Sequence, residues 1–74
     1  MREFSIRYHL INDSIVYESV QAENLHDAQQ RSKYNINQPS FDIIENNRII
    51  TVYCKSVVCV EVVDIEAKSA SRNR

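Results

Sequence analysis

The chain contains no glycine and no tryptophan, one proline, one methionine and two cysteines. Without glycine there is no phosphate-cradling loop of the familiar nucleotide-binding kinds, which need a backbone free of Cβ atoms. Left-handed turn positions must then fall to Asn or Asp, the residues that tolerate them best after glycine. Cys54 and Cys59 stand five apart in a strand-like run. That separation spans about 16 Å of extended chain and puts the two on opposite faces. A disulfide needs Cα atoms within about 7 Å. Both thiols are therefore expected reduced, as small core hydrophobes. With no Cys-x-x-Cys or His–Cys cluster, and only His9 and His26 as imidazoles, a structural zinc ion has no ligand set.

Charge of one sign is also lacking. The formal net charge is −1, which provides no general attraction to nucleic acid. Its distribution is uneven. Residues 1–65 carry six Lys/Arg against nine Asp/Glu, whereas 66–74 carry Lys68, Arg72 and Arg74 against Glu66. By composition 66–74 is expected to be a disordered basic tail after a single domain at 1–65. The first ten residues, MREFSIRYHL, have no apolar core of the signal-peptide type. No apolar run approaches the ~20 residues of a membrane span. The expected setting is the cytoplasm.

What the chain does have is β-forming sequence. The richest stretch is Arg48 to Ile65, RIITVYCKSVVCVEVVDI. Its even positions read Ile50, Val52, Cys54, Ser56, Val58, Val60, Val62, and its odd positions Ile49, Thr51, Tyr53, Lys55, Val57, Cys59, Glu61, Val63. Both faces are mainly apolar, the pattern of a strand covered on both sides. Lys55-Ser56 has no turn chemistry, so the run reads as one long strand from Arg48 to Asp64, bent near its middle. A two-strand reading, joined at Lys55-Ser56, stays open.

Upstream, Phe4, Ile6, Tyr8 and Leu10 alternate with polar residues, as in a half-buried strand. Ile15–Ala22 reads as its hairpin partner. A three-residue loop at Asn12–Ser14 would pair Leu10 with Val16, Ile6 with Val20 and Phe4 with Ala22. That register gathers the apolar side chains on one face, with Glu18 beside Tyr8 as the one polar intruder. The other face then carries Arg7, His9 and Tyr17, with His9 opposite Tyr17. Asn24 suits a helix N-cap, and a helix is expected over about Leu25–Tyr34 with an Asp27–Arg31 pair. Asn35 would close it in the left-handed conformation. Its buried stripe, Leu25, Ala28 and Ser32, is thin. Phe41–Glu45 reads as a strand, and Asn46-Asn47 as a tight turn.

The expected architecture is α+β in the order ββαββ. An antiparallel sheet of about four strands carries one helix on one face and ends in a long bent C-terminal strand. In layout, the helix followed by strand, tight turn and long strand resembles dodecin-type flavin storage proteins. The flavin-stacking Trp of that family has no counterpart here, and an extra strand precedes the helix. The resemblance implies an arrangement only, and no cofactor is expected.

No carboxylate pair, nucleophile–base couple or oriented histidine stands out, so an enzyme is not expected. His9 reads as an exposed strand histidine and His26 as a solvated one. A single slim helix cannot cover both faces of the Arg48–Asp64 run. The uncovered face would present Ile49, Tyr53, Val57, Cys59 and Val63, a patch that monomers rarely leave open. The expectation is a small non-enzymatic interaction module, homodimeric through sheet face or edge, or bound to another protein. Its Asn- and Ile-rich composition is of the kind met in phage or prophage accessory and inhibitor proteins. The alternative is a nucleic-acid-binding sheet using Arg7, His9, Tyr17, Tyr53 and Lys55, with stacking tyrosines beside basic groups.

Overall fold

Two left-handed turns and one proline punctuate the chain into its elements. In the computed structural model, which describes residues 1–65, β1 spans Arg2–Leu10 and β2 spans Ile15–Ala22. The helix α1 spans Leu25–Ile36, β3 Ser40–Glu45, β4 Arg48–Tyr53 and β5 Val57–Asp64. The fold is α+β, with one helix and antiparallel strand pairing. Among the described residues, five strands form two sheets, β2-β1-β5 and β3-β4, where about four strands in one sheet were expected. The tail expected at 66–74 lies outside the described residues.

The first hairpin keeps the expected face but shifts its register by two residues. Phe4 pairs with Val20, Ile6 with Glu18 and Tyr8 with Val16. The loop is three residues long, as expected, but begins one residue earlier. Leu10 N–H donates to the Ser14 carbonyl at 2.8 Å, enclosing Ile11–Asp13. A three-residue hairpin loop places its last residue in the left-handed region. Here that residue is Asp13, at φ 70°; the expected loop would have put Ser14 there, a poorer occupant. Asn12 Oδ1 also accepts the Ser14 N–H at 3.1 Å. Because the shift is an even number of residues, Phe4, Ile6, Tyr8, Val20 and Ala22 still face the core together.

Asn24 caps α1 as expected, its side chain accepting the Asp27 N–H at 2.9 Å. The helix runs one turn's fraction further than expected and ends at Ile36, with Asn37 as C-cap. Asn35 is therefore not a left-handed cap. It lies on the stripe Ala28, Ser32, Asn35 that faces the sheets, and all three are buried. Small side chains at Ala28 and Ser32 let the helix backbone approach closely. Pro39 follows, and Phe41 and Ile43 of β3 point inward. At the β3–β4 turn, Asn46 and Asn47 have φ 51° and 62°. Two consecutive left-handed residues define the two-residue hairpin loop whose twist matches the flanking strands. Glu45 pairs with Arg48 across it.

The long Arg48–Asp64 strand is interrupted. Cys54–Ser56 form a single 3-10 turn, closed by the Val57 N–H donating to the Cys54 carbonyl. The two halves enter different sheets, the first paired with β3 and the second with β1. A bulge follows, because His9 faces Cys59 while Leu10 faces Val57, leaving Val58 as the extra residue. The turn and the bulge together break the even-face alternation. Val57 packs toward the core and Val58 is exposed, before Val60 and Val62 resume the inward positions. Tyr8 against Phe41, ring centroids 4.7 Å apart, joins the two sheets.

The left-handed Asn pair yields a direct check. Replacing Asn47 with Gly is expected to preserve or raise stability. Asn47→Val is expected to lower it by about 1–2 kcal/mol, the cost of forcing a Cβ-branched residue into the left-handed region. Urea denaturation followed by far-ultraviolet circular dichroism reads both.

Candidate functional site

A groove opens between α1 and β5. Its walls are Leu25, His26, Gln29, Lys33 and Ile36 on the helix and Val60 and Val62 on the strand, with Ser32 at its floor, enclosing about 580 Å³. It exists because α1 presents only Ala28, Ser32 and Asn35 to the sheets. Leu25 and Ile36 remain 50% and 40% exposed, and Val60 and Val62 only partly covered. Burying a valine side chain fully is worth about 1.5–3 kcal/mol, so each half-covered valine leaves on the order of 1 kcal/mol ungained.

Beside the groove runs a strand edge with no neighbour among the described residues. β5 is the outer strand of β2-β1-β5. Leu10 N–H bonds toward β2 and Ile11 N–H bonds toward Ser56, on the β5 side. Alternation along an antiparallel strand then directs the peptide groups of Arg7 and His9 to β5, and of their partners Glu61 and Cys59 to β1. The N–H and C=O groups of Val60 and Val62 accordingly point outward along the edge. The opposite edge, β2, is different. It carries the inward-pointing Glu18, and β3 approaches it through Ile43 and Ile44, which share a cleft with Glu18 and Ser19. An inward charge discourages further pairing. β5 has no inward charge at Val60 or Val62.

Glu18 is held in a buried polar network. Its side chain is 9% exposed. Tyr8 Oη donates to Glu18 Oε1 at 3.0 Å, and Asn35 Nδ2 lies 3.2 Å from the same oxygen and 2.9 Å from Tyr8 Oη. Arg31 Nη2 donates to Oε2 at 3.3 Å. The expected Asp27–Arg31 pairing is thus replaced by a contact from Arg31 to β2. Burial pushes the Tyr8 hydroxyl well above its ordinary value, an effect that the Asn35 hydrogen bond opposes and the Glu18 charge reinforces.

The residues expected to form one apolar stripe are separated. Ile49 and Tyr53 are exposed on β4, at 65% and 60%, with exposed Ile44 opposite Ile49. Val57 turns toward the core because of the 3-10 turn. Cys59 and Val63 lie on the outer face of the three-stranded sheet, opposite His9 and Ser5. Cys59 is an exposed thiol, where a core hydrophobe was expected; Cys54 is partly buried, and both are free.

The five nucleic-acid candidates also divide. Arg7, His9 and Tyr17 share the outer face, and the Arg7 guanidinium lies 5.7 Å from the Tyr17 ring centroid. Arg7, not His9, is the residue opposite Tyr17. Glu61 sits among them, 3.3 Å from His9 Nε2 and 3.8 Å from Arg7 Nη1. Tyr53 and Lys55 instead line a shallow hollow with Gln38, Pro39 and Cys54.

Sequence reasoning missed Asn35 and the groove. A signal for Asn35 was present, since Ala28, Ser32 and Asn35 follow the spacing of one helical face. The groove had no such signal, because it depends on how far the helix side chains reach over β5. Among the described residues, no group of three or more His, Cys, Asp and Glu side chains is placed to hold a metal ion, and no helix is long and apolar enough to cross a membrane. No family model, curated protein or solved structure matches this chain, so its likeness in layout to dodecin-type proteins carries no function.

The raised Tyr8 value fixes the sign of an alkaline effect. Its stabilising contribution is fully present below the unfolded value of 10.0 and is lost as pH rises through the higher folded value. Stability is expected to decline from about pH 10 upward. Tyr8→Phe is expected to flatten that limb while costing about 1.5–3 kcal/mol at neutral pH, because it removes a donor from a buried carboxylate. Urea titrations at neutral and alkaline pH measure both.

Proposed function

We propose that this chain is a small non-enzymatic protein-interaction module, self-associating, that receives an extended segment along β5. The observation that carries this reading is the coincidence of two unmet demands at one place. The Val60 and Val62 peptide groups face outward along an edge, and an apolar groove lined by the same two residues lies beside it. A strand added to that edge would supply main-chain hydrogen bonds, and every second side chain would enter the groove. Affinity from the backbone with specificity from alternate side chains is an established mode of peptide recognition. Lys33 and His26 at the groove wall favour segments with an acidic residue beside the apolar ones.

The nucleic-acid reading ranks second. It has the Arg7–Tyr17 stack beside His9 in its favour. Against it, the Glu61 carboxylate stands within reach of both cations, and residues 1–65 are acidic in balance. A phosphate approaching this face meets Glu61 before it meets a free guanidinium.

Selection of displayed random peptides against the protein tests the first reading. The expected binders are extended segments with alternating apolar residues. Leu25→Glu is expected to weaken them at least tenfold, since each 1.4 kcal/mol is a factor of ten, without loss of the fold, because an acidic residue in the first helical turn suits the helix dipole. Ile49→Ser is expected to leave them unchanged. Binders indifferent to Leu25→Glu would place the interaction elsewhere.

A further inference from the structure

We infer that the segment taken up along β5 is the β5 strand of a second copy, paired antiparallel about a two-fold axis at Val60. This rests on the reading of β5 as a strand-accepting edge. It goes beyond that reading by naming the occupant and its register.

Three observations select a second copy. First, β5 is a strand whose outward peptide groups need an equivalent row to pair with, and another β5 offers that row in the same state. Second, the two edges of the three-stranded sheet are unequal. β2 carries the inward Glu18 and is approached by β3, whereas the inward positions of β5 at Val60 and Val62 are apolar. A joint between sheets is therefore open at β5 and blunted at β2. Third, pairing β5 with itself puts both copies of α1 on the same side of one continuous six-stranded sheet. Leu25 and Ile36 of each copy then overhang a shared seam floored by Val60 and Val62, and the two half-grooves close on each other.

Charge chooses the register. Only even-numbered residues can make the new hydrogen-bonded pairs, so three alignments are available near the middle of the strand. Centring on Glu61 sets that residue opposite its own copy, in a pair with Cα atoms only about 4.5 Å apart. Like charges directly opposite each other are destabilising. Centring on Val62 brings Asp64 opposite Val60. Centring on Val60 pairs Val60 with Val60 and Val58 with Val62, and sets Glu61 opposite Cys59, an uncharged neighbour. Only this last alignment leaves valine against valine at every hydrogen-bonded pair between Val58 and Val62.

The full chain is expected to sediment as a dimer at micromolar to submillimolar concentration. Register is read by cross-linking in a Cys54→Ser, Cys59→Ser background. At the two-fold position the Cα atoms of a hydrogen-bonded pair lie about 5.5 Å apart, inside the range of a disulfide. Val60→Cys is expected to give a covalent dimer under mild oxidation at least tenfold faster than Val62→Cys. The Val62 copies are offset by four residues, about 13 Å along the strand. Both substitutions are small, and circular dichroism verifies that each variant is folded. Preferential cross-linking through Val62→Cys, or a dimer that neither cysteine traps, overturns the proposal, as does a chain that stays monomeric throughout. A monomer that still selects strand-like peptides sensitive to Leu25→Glu would show that the edge accepts strands but not its own. Failure of both experiments would remove the strand-accepting reading itself.

Discussion

Burying the Glu18 carboxylate imposes the constraint that the rest of the structure satisfies. A carboxylate removed from water must be supplied with donors or it forfeits several kcal/mol. Here the donors come from different elements. Tyr8 belongs to β1, and Asn35 and Arg31 belong to α1. Meeting that demand helps fix where the helix sits across the β2-β1-β5 sheet, with its C-terminal half drawn toward Glu18. Tyr8 carries the constraint one step further by packing its ring, tilted, against Phe41 of β3. One polar group on the core face of β2 thus sets the position of the helix and helps orient the second sheet.

That placement has a cost at the other side of the sheet. The helix packs against all three strands of the β2-β1-β5 sheet, but its facing residues Ala28, Ser32 and Asn35 are short and leave the outer flank of β5 open. Leu25 and Ile36, the helix's own large apolar side chains, are left overhanging Val60 and Val62. The same carboxylate that anchors the helix also makes β2 a poor edge for further pairing. The polar network and the open edge are therefore two consequences of one arrangement. A chain of 74 residues has limited surface to bury on its own, and here a groove lies beside a strand edge with no neighbour among the described residues.

Much of the local structure was legible because it depends on neighbours in sequence. The Asn24 cap, the Asn46-Asn47 turn and the alternation of β1 each rest on chemistry within a few residues. Register was legible only to parity. Apolar alternation distinguishes one face from the other, but a slide of two residues preserves the face, and the choice fell to whether Asp13 or Ser14 took the left-handed position. Asn35 was misplaced because its tolerance for a cap position, a local property, was given weight over its place on the helical stripe. The stripe from Ile49 to Val63 was misjudged for a related reason. A three-residue 3-10 turn and one bulged residue turn Val57 inward and Val58 outward and divide the run between two sheets, and Cys54-Lys55-Ser56 carries no composition that announces them.

The amino-acid sequence by itself determined the class of the fold, the Asn46-Asn47 turn, the inward face of the first hairpin and the reduced state expected of its thiols. Each of these follows from periodicity, backbone preference or reach along the chain. Only the tertiary structure decided that part of the chain's apolar surplus lines a groove between α1 and β5 on the helix side, while Ile44, Ile49 and Tyr53 stay exposed on β3 and β4. The physical reason is that exposure is a property of what fails to cover a residue, and the covering element here was positioned by a carboxylate on one strand and an amide on the helix, seventeen residues apart.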